Sequence, residues 1–179
     1  MPNTSLRMGS VERERARPLD LIKLRGLADY QFGRGAGAAL FPEEGVELVR
    51  SKATGRIRTI YRHGALLATL RPSDGFLALT EEGAKAIIER LSPPPNRVIV
   101  KGDVGDFIRE GRSVFAKHVV DADPELRPGE EAIVLDEAGE LLGVGRALMS
   151  AAEMLSASRG VAVRIRRGVP KGGGGPQQA

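Results

Sequence analysis

Residues 106–117 read DFIREGRSVFAK, and this stretch decides the fold of the second half of the chain. It predicts a short helix over residues 103–110, with Phe107 and Ile108 directed inward. Gly111 follows at the position after the helix, where a left-handed backbone carries no Cβ penalty. The chain is therefore expected to turn at this glycine and to continue as a strand.

Apolar segments around this stretch predict further strands and a second helix. The predicted strands span residues 97–101, 113–121, 130–135, 141–148 and 161–166. Ser150 predicts the N-cap of a helix over residues 151–158. Gly143 and Gly145 lie inside a strand, where glycines mark bulges or bends that let a small barrel close. The second half is therefore expected to be a β pseudo-barrel.

The sequence of the first half predicts an antiparallel meander of strands, together with helices. Its predicted strands span residues 46–52, 56–62, 65–70 and 76–79. Residues 19–29 predict a short helix that is interrupted or capped near Gly26. Thr80 predicts the N-cap of an amphipathic helix that Pro93 ends.

The chain is thus expected to have an α+β fold with two small domains. The first domain spans residues 19–95 and the second spans residues 96–168. A flexible arm over residues 1–18 precedes them, and a glycine-rich disordered tail over residues 169–179 follows.

The composition limits the possible chemistry. The chain has 179 residues, of which 41% are hydrophobic and 4% aromatic, so its cores must be aliphatic. The absence of cysteine excludes disulfides, iron–sulfur clusters, thiolate zinc and a cysteine nucleophile. Two histidines leave little for a metal site or a histidine-based triad. We therefore expect neither a metal nor a cofactor.

The charge favours an anionic partner. The net charge is +4, and most of the 27 basic residues are arginines. Guanidinium groups bind phosphates with paired hydrogen bonds and stack on bases, which favours nucleic acid. No segment approaches the ~20 apolar residues that span a bilayer, and no signal peptide is evident. The sequence predicts a cytoplasmic protein without a membrane partner.

Several motifs resemble those of a known family. Four segments of the second half are similar to the PUA domain, an RNA-binding pseudo-barrel: DFIxxGxSVFAK (106–117), RPGEE (127–131), GVGRA (143–147) and GVAVR (160–164). Three segments of the first half resemble the region before the PUA domain in archaeal tRNA-guanine transglycosylases, the archaeosine enzymes: DYQFG (29–33), SKxTGRIR (51–58) and DGxxxLT (74–80). Those enzymes also carry a catalytic (β/α)₈ barrel and a cysteine-rich zinc site, for which this chain has neither the length nor a cysteine. The resemblance therefore implies the RNA-holding end of such an enzyme without its chemistry.

The resemblance implies RNA contacts at the junction between the helix and the strand. In the PUA family this junction lies against RNA backbone, which nominates Arg109, Gly111, Arg112 and Ser113. The alternative is a helix-capping glycine beside two solvated arginines. Lys117, on the predicted strand, either borders the RNA groove or is an ordinary surface lysine.

The last strand offers further candidates. Arg164 and Arg166 alternate with apolar residues and are expected to project to one side, where related modules cradle RNA ends. Arg146 is another candidate for the same surface.

The first half contributes a predicted basic ridge. Arg56, Arg58 and Arg62 lie at even steps along one predicted strand. The ridge could follow a phosphate backbone, bind the acidic edge of a partner protein, or simply be solvated.

The leading hypothesis is a protein that binds structured RNA, above all the acceptor end of tRNA, without catalysis of its own. One alternative is a non-catalytic subunit of a split tRNA-guanine transglycosylase or of another RNA-modifying enzyme. A further alternative is an adaptor in ribosome assembly or translation.

Overall fold

Strands that are consecutive in the chain form the first of two sheets. The protein is described by a computed structural model that covers residues 12–172. The first sheet is antiparallel, and its five strands lie in sequence order. They are β1 (Glu14–Arg15), β2 (Val46–Arg50), β3 (Ile57–Arg62), β4 (Ala65–Leu70) and β5 (Leu77–Leu79). The predicted meander is confirmed.

Three helices share a core with this sheet. They are α1 (Pro18–Phe32), α2 (Ala36–Leu40) and α3 (Glu81–Arg90). Leu24 of α1 and Ile87 of α3 pack in one cluster with Leu48 and Ile60 of the sheet. The Thr80 hydroxyl accepts a hydrogen bond from the Gly83 N–H at 3.2 Å, so the predicted N-cap is confirmed.

The second half forms a six-stranded sheet with two α-helices. Its elements are β6 (Arg97–Val100), α4 (Gly105–Arg109), β7 (Val114–Phe115), β8 (Val119–Ala122), β9 (Glu131–Asp136), β10 (Leu141–Ala147), α5 (Ala151–Ser156) and β11 (Val161–Gly168). The strand order is β7-β11-β10-β9-β6-β8, and β6 and β9 are the parallel pair. Ser150 caps α5 through a capping box with Glu153, as the sequence predicts.

The second sheet curls until its edges approach each other. The edge strands β7 and β8 are separated by the three residues Ala116–His118, which form a 3₁₀ turn. In a flat sheet of six strands the two edges would be about 24 Å apart. The chain from the end of β7 to the start of β8 spans about 14 Å at most. The sheet is therefore nearly closed, and the predicted α+β fold with a pseudo-barrel is confirmed.

The glycines of β10 lie where the sheet bends. The register between β10 and β11 shifts between Val144 and Gly145, and the register between β10 and β9 shifts between Leu141 and Gly143. A Cβ at Gly145 would lie 2.2 Å from the Arg164 carbonyl oxygen, so only glycine permits this close approach. The predicted bulges are confirmed.

One strand connects the two cores. Ile133 and Leu135 of β9 pack in the core of the first half, together with Val144 of β10. Ala132 and Val134, which point to the opposite face of β9, pack inside the barrel. The two predicted domains therefore share an extensive apolar contact, and the boundary between residues 95 and 96 stays a prediction.

The predicted break in the first helix is wrong. α1 runs without interruption through Gly26, because Leu24, Ala28 and Phe32 on its inner face are all buried. Packing of these residues outweighs the helix penalty of one glycine, about 1 kcal/mol.

Parts of the predicted arm and of the predicted tail belong to the folded structure. Glu14 and Arg15 pair with β2, and helix α1 already begins at Pro18. Val169 is 5% exposed, and its N–H donates to the Leu142 oxygen at 2.8 Å. The remainder of both predictions, residues 1–11 and 173–179, lies outside the described residues.

The single strand predicted over residues 113–121 is also wrong. The 3₁₀ turn Ala116–His118 divides it, because β7 pairs with β11 whereas β8 pairs with β6. The neighbouring helix differs in one side chain as well. Ile108 is buried, but Phe107 is 52% exposed, because adjacent positions on a helix point about 100° apart.

Residues 12–172 contain no helix of the length and apolar character required to cross a membrane.

Candidate nucleic-acid interface

Gly111 ends α4 in a Schellman motif. Its φ is +89°, its N–H donates to the Ile108 oxygen at 2.9 Å, and the Arg112 N–H donates to the Phe107 oxygen at 3.0 Å. The prediction that Gly111 ends this helix is therefore confirmed. Because the cap uses both of these N–H groups, neither is available to an approaching phosphate.

Side-chain donors are present beside the cap. Arg112 is 69% exposed, and its guanidinium carbon lies 5.4 Å from the centre of the Phe107 ring. Ser113 is partly exposed. No described atom lies within 4 Å of the position that a Cβ of Gly111 would occupy, so a ligand can approach the backbone closely.

A row of polar residues crosses the outer face of the barrel from this point. Val114 lies opposite Val163, so the preceding residue Ser113 lies beside Arg164. Arg164 in turn lies directly opposite Arg146, and both are exposed. We call Arg112, Ser113, Arg146 and Arg164 the exposed row.

The exposed row places two like charges side by side. Directly opposed residues of an antiparallel pair have Cβ atoms about 5 Å apart, and like charges there destabilise the sheet. Arg146 donates from Nε to the Gly129 oxygen at 3.1 Å, and among residues 12–172 neither Arg146 nor Arg164 forms an ion pair. Glu131 lies opposite Arg146 on β9, but its carboxylate is paired with Arg166. A bound anion between the two guanidinium groups would relieve their repulsion.

Arg166, two residues along β11, has a different environment. Its guanidinium forms a two-pronged ion pair with Glu131, with Nη1 3.0 Å from Oε2, and donates to the Leu79 oxygen at 2.7 Å. Glu131 also accepts from the Leu79 N–H at 2.9 Å. We call Arg166, Glu131 and Leu79 the seam, because Leu79 belongs to the first sheet and the other two belong to the barrel. Arg166 is therefore held as a structural tie between the two halves.

Burial governs the acid of the seam. Glu131 is 0% exposed, and burial raises the pKa of its carboxyl above the ordinary value. The hydrogen bonds from Arg166 and from the Leu79 N–H oppose this rise. The ionised form of the buried Glu131 carboxyl is thus stabilised by Arg166.

Arg109 is likewise occupied by structural contacts. Its guanidinium donates to the Val169 oxygen at 2.9 Å, to the Leu141 oxygen at 3.3 Å and to the Glu140 carboxylate at 2.9 Å. The side chain is only 10% exposed. The alternative of a solvated arginine is therefore wrong at this position. The predicted RNA contact of Arg109 stays a prediction, and the structure does not bring Arg109 to the exposed row.

The other predicted contacts lie elsewhere. Lys117 is exposed in the 3₁₀ turn after β7 and does not lie on a strand. Arg56 and Arg58 are exposed at the end of the first sheet, near the turn between β2 and β3. Arg62 is half-buried, so the exposed part of the predicted ridge consists of Arg56 and Arg58.

Sequence reasoning missed exposed aromatic residues. Phe107 lies beside Arg112, and Tyr30 of the first half is 78% exposed with its ring against Phe76. Helical spacing could have revealed Tyr30, because the core positions of α1 are Leu24, Ala28 and Phe32. Within residues 12–172 no group of three His, Cys, Asp or Glu side chains is placed to hold a metal ion.

Two family models match the chain. Residues 23–94 match the patch-forming domain C2 of tRNA-guanine transglycosylase, and residues 96–169 match the PUA domain. The chain contains a PUA domain at residues 96–169. Its first half is a transglycosylase-type C2 domain, and the PUA domain carries the exposed row.

Sequence relatives agree with this assignment. The chain is 43% identical over 152 residues to the tRNA-guanine(15) transglycosylase of Methanobrevibacter smithii, covering 85% of this chain and 23% of the relative. It is 47% identical over 145 residues to that of Thermococcus kodakarensis, covering 81% and 24%. The chain therefore spans about a quarter of the length of these relatives, in their C-terminal region.

Solved structures show the same fold. A conserved PUA domain protein from Thermoplasma acidophilum matches with a TM-score of 0.65 and 20% identity, covering 88% of this chain and 93% of that one. A PUA domain protein from Aeropyrum pernix K1 matches with a TM-score of 0.67 and 19% identity, covering 90% and 88%. The likeness extends over both halves of the molecule.

Proposed function

We propose that this protein binds structured RNA through its PUA domain, with the acceptor end of tRNA as the favoured ligand, and that it has no catalysis of its own. The observation that carries the proposal is the exposed row, in which Arg146 and Arg164 lie opposite each other and neither forms an ion pair among the described residues, while the neighbouring Glu131 is paired with Arg166. Such a pair suits a phosphate of an RNA backbone. The relatives named for tRNA modification support tRNA as the ligand.

The exposed row divides the work of recognition. Arg146 and Arg164 attract phosphates irrespective of sequence, and their contribution weakens with salt. Arg112 stands over Phe107 at the end of the row, where a guanidinium and an aromatic ring together suit an unpaired base. The free space beside the Gly111 backbone leaves room for the RNA between Arg112 and the arginine pair.

The test compares two variants that change the net charge equally. Arg146→Gln with Arg164→Gln should weaken binding of a tRNA transcript about tenfold at low salt and lower the salt slope by about 1.5, since two phosphate contacts are lost. Arg90→Gln with Lys101→Gln, at two exposed positions away from the row, is the matched control. Binding would be measured by fluorescence anisotropy from 50 to 200 mM salt.

Two outcomes would contradict the proposal. If both double variants lower the affinity equally, net charge rather than the exposed row attracts the RNA. If the wild-type protein fails to bind tRNA at low ionic strength, the protein is not a tRNA binder.

A second candidate function is that of a non-catalytic subunit of a split RNA-modifying enzyme. The observation that favours it is an apolar outer face on α1, where Leu19 is 59% and Ile22 is 67% exposed. The chain also corresponds to about a quarter of the transglycosylases that it resembles. A separate polypeptide with the catalytic barrel would then pack on Leu19 and Ile22.

Sedimentation of the purified chain with a purified catalytic-barrel polypeptide tests this candidate. A stable complex that Leu19→Glu with Ile22→Glu dissociates supports it. Independent sedimentation of the two polypeptides at micromolar concentration contradicts it.

A further inference from the structure

An aromatic pair stands exposed at one end of the C2 domain. The rings of Tyr30 and Phe76 are nearly parallel, with an interplanar angle of 11° and ring centres 6.1 Å apart. Tyr30 is 78% exposed. The Tyr30 ring is therefore stacked on the Phe76 ring, while most of the surface of Tyr30 faces solvent.

The fold holds this pair in place from below. The side chain of Gln31, next to Tyr30, donates from Nε2 to the Leu77 oxygen at 3.2 Å and accepts from the Leu77 N–H at 2.6 Å. This two-way amide contact joins the end of α1 to the start of β5, so Tyr30 and Phe76, which precede the two partners, stay aligned. A platform held in this way loses little conformational entropy when a ligand stacks on it.

The turn before Phe76 is equally constrained. The Asp74 carboxylate accepts hydrogen bonds from the Phe76 N–H at 3.0 Å and from Arg71 Nε at 3.1 Å. The Arg71 guanidinium carbon lies 5.9 Å from the centre of the Phe76 ring. Phe76 is thus packed between defined neighbours, and Tyr30 is the outer member of the stack.

Positive charge lies at the same end of the sheet. Thr59 of β3 lies opposite Thr69 of β4, so Arg58 and the turn between β2 and β3 lie beside the turn that carries Phe76. Arg56 and Arg58 are both exposed there. An exposed aromatic face near guanidinium groups matches the requirements of single-stranded nucleic acid, whose bases stack while its phosphates attract cations.

We propose that Tyr30 and Phe76 form a stacking platform for an unpaired base of the bound RNA, with Arg56 and Arg58 contacting the adjacent phosphates. The inference rests on the proposed RNA-binding function and adds a second contact to it, on the C2 domain. β5 leads from Phe76 to the seam at Leu79 in three residues, about 10 Å. The platform is therefore separated by one short strand from the place where the C2 domain contacts the PUA domain.

The test uses tRNA transcripts that carry 2-aminopurine at one unpaired position at a time, because stacking on an aromatic side chain quenches this base. Wild-type protein should quench at least one position. Tyr30→Ala should abolish that quenching and weaken binding about 5- to 100-fold, whereas Tyr30→Phe should retain both. The salt slope should stay unchanged in Tyr30→Ala, because stacking releases no counterions.

Leu155→Ala is the matched control, since Leu155 of α5 is an apolar residue that is 51% exposed. It should leave both affinity and quenching unchanged, and all variants should melt at the temperature of the wild type. If Tyr30→Ala binds and quenches like wild type, the platform is overturned while RNA binding stands. If wild-type protein binds no transcript, the proposed function itself fails.

Discussion

The seam and the exposed row use arginines of the same strand for opposite purposes. Arg166 has its guanidinium held by Glu131 and by the Leu79 oxygen, and it ties the C2 domain to the PUA domain. Arg164, two residues earlier, stands exposed beside Arg146. The partners that the fold supplies to an arginine, rather than its position in a basic segment, therefore separate a structural role from the proposed binding role.

Removal of the seam arginine has the largest expected effect. Arg166→Met leaves the buried Glu131 carboxylate without its counter-charge and should lower the free energy of unfolding by about 2–4 kcal/mol, less than for a fully buried pair because the Arg166 side chain is 40% exposed. Arg164→Met should change it by less than about 0.5 kcal/mol, since the exposed Arg164 side chain forms no ion pair among the described residues. Urea denaturation at neutral pH measures both values.

A double variant sharpens this comparison. Arg166→Met with Glu131→Leu removes both charges and should recover most of the lost stability. Equal stability of Arg166→Met and Arg164→Met would show that the seam does not hold the two halves together.

The C2 domain repeats the contrast on a smaller scale. Arg50 pairs with Asp20 at 2.7 Å and also with Glu14, whereas Arg56 and Arg58 are exposed. Burial of Asp20 by itself raises the pKa of its carboxyl, but the hydrogen bonds from Arg50 and Arg17 outweigh burial and hold the pKa below 3.8. Asp20→Asn should therefore lower the free energy of unfolding by about 1.5–3 kcal/mol at pH 7.

The pH dependence of this effect follows from the direction of the shift. A carboxyl with a lowered pKa in the folded state stabilises the fold above its ordinary pKa, and this stabilisation is lost as the pH falls through the folded value. The difference between Asp20→Asn and wild type should thus shrink below pH 3.8. A difference that is constant from pH 7 to pH 2 would contradict an ionic role for Asp20.

Gly111 offers the smallest effect. Its φ of +89° is strained for alanine, but no described atom lies within 4 Å of the new methyl group. Gly111→Ala should therefore lower the free energy of unfolding by about 1 kcal/mol through the backbone alone. Gly102→Ala, also with open space around it but without a positive φ, is the control and should change stability by a few tenths of a kcal/mol.

Local signals predicted most of the fold. The position of Gly111 after a helix, the glycines of β10 and the caps at Thr80 and Ser150 all depend on residues within one or two turns of chain. The strand over residues 113–121 was predicted wrongly, because its division depends on pairing with two distant strands, β11 and β6.

The candidate site was less predictable than the fold. Arg109, Arg164 and Arg166 look alike in the sequence, but only Arg164 stands in the exposed row. Arg166 meets Leu79 across 87 residues, and Arg109 meets Val169 across 60. Alternation along a strand indicates which side an arginine faces, but not which acid or carbonyl lies there.

The amino-acid sequence by itself determined the aliphatic cores, the order of most strands and helices, the glycine turns and the surplus of arginine, because short-range backbone preferences and composition govern these features. Only the tertiary structure decided which arginines pair with acids far away in the chain and which do not. The physical reason is that the state of a charged group depends on the partners and the burial supplied by residues far away in the chain.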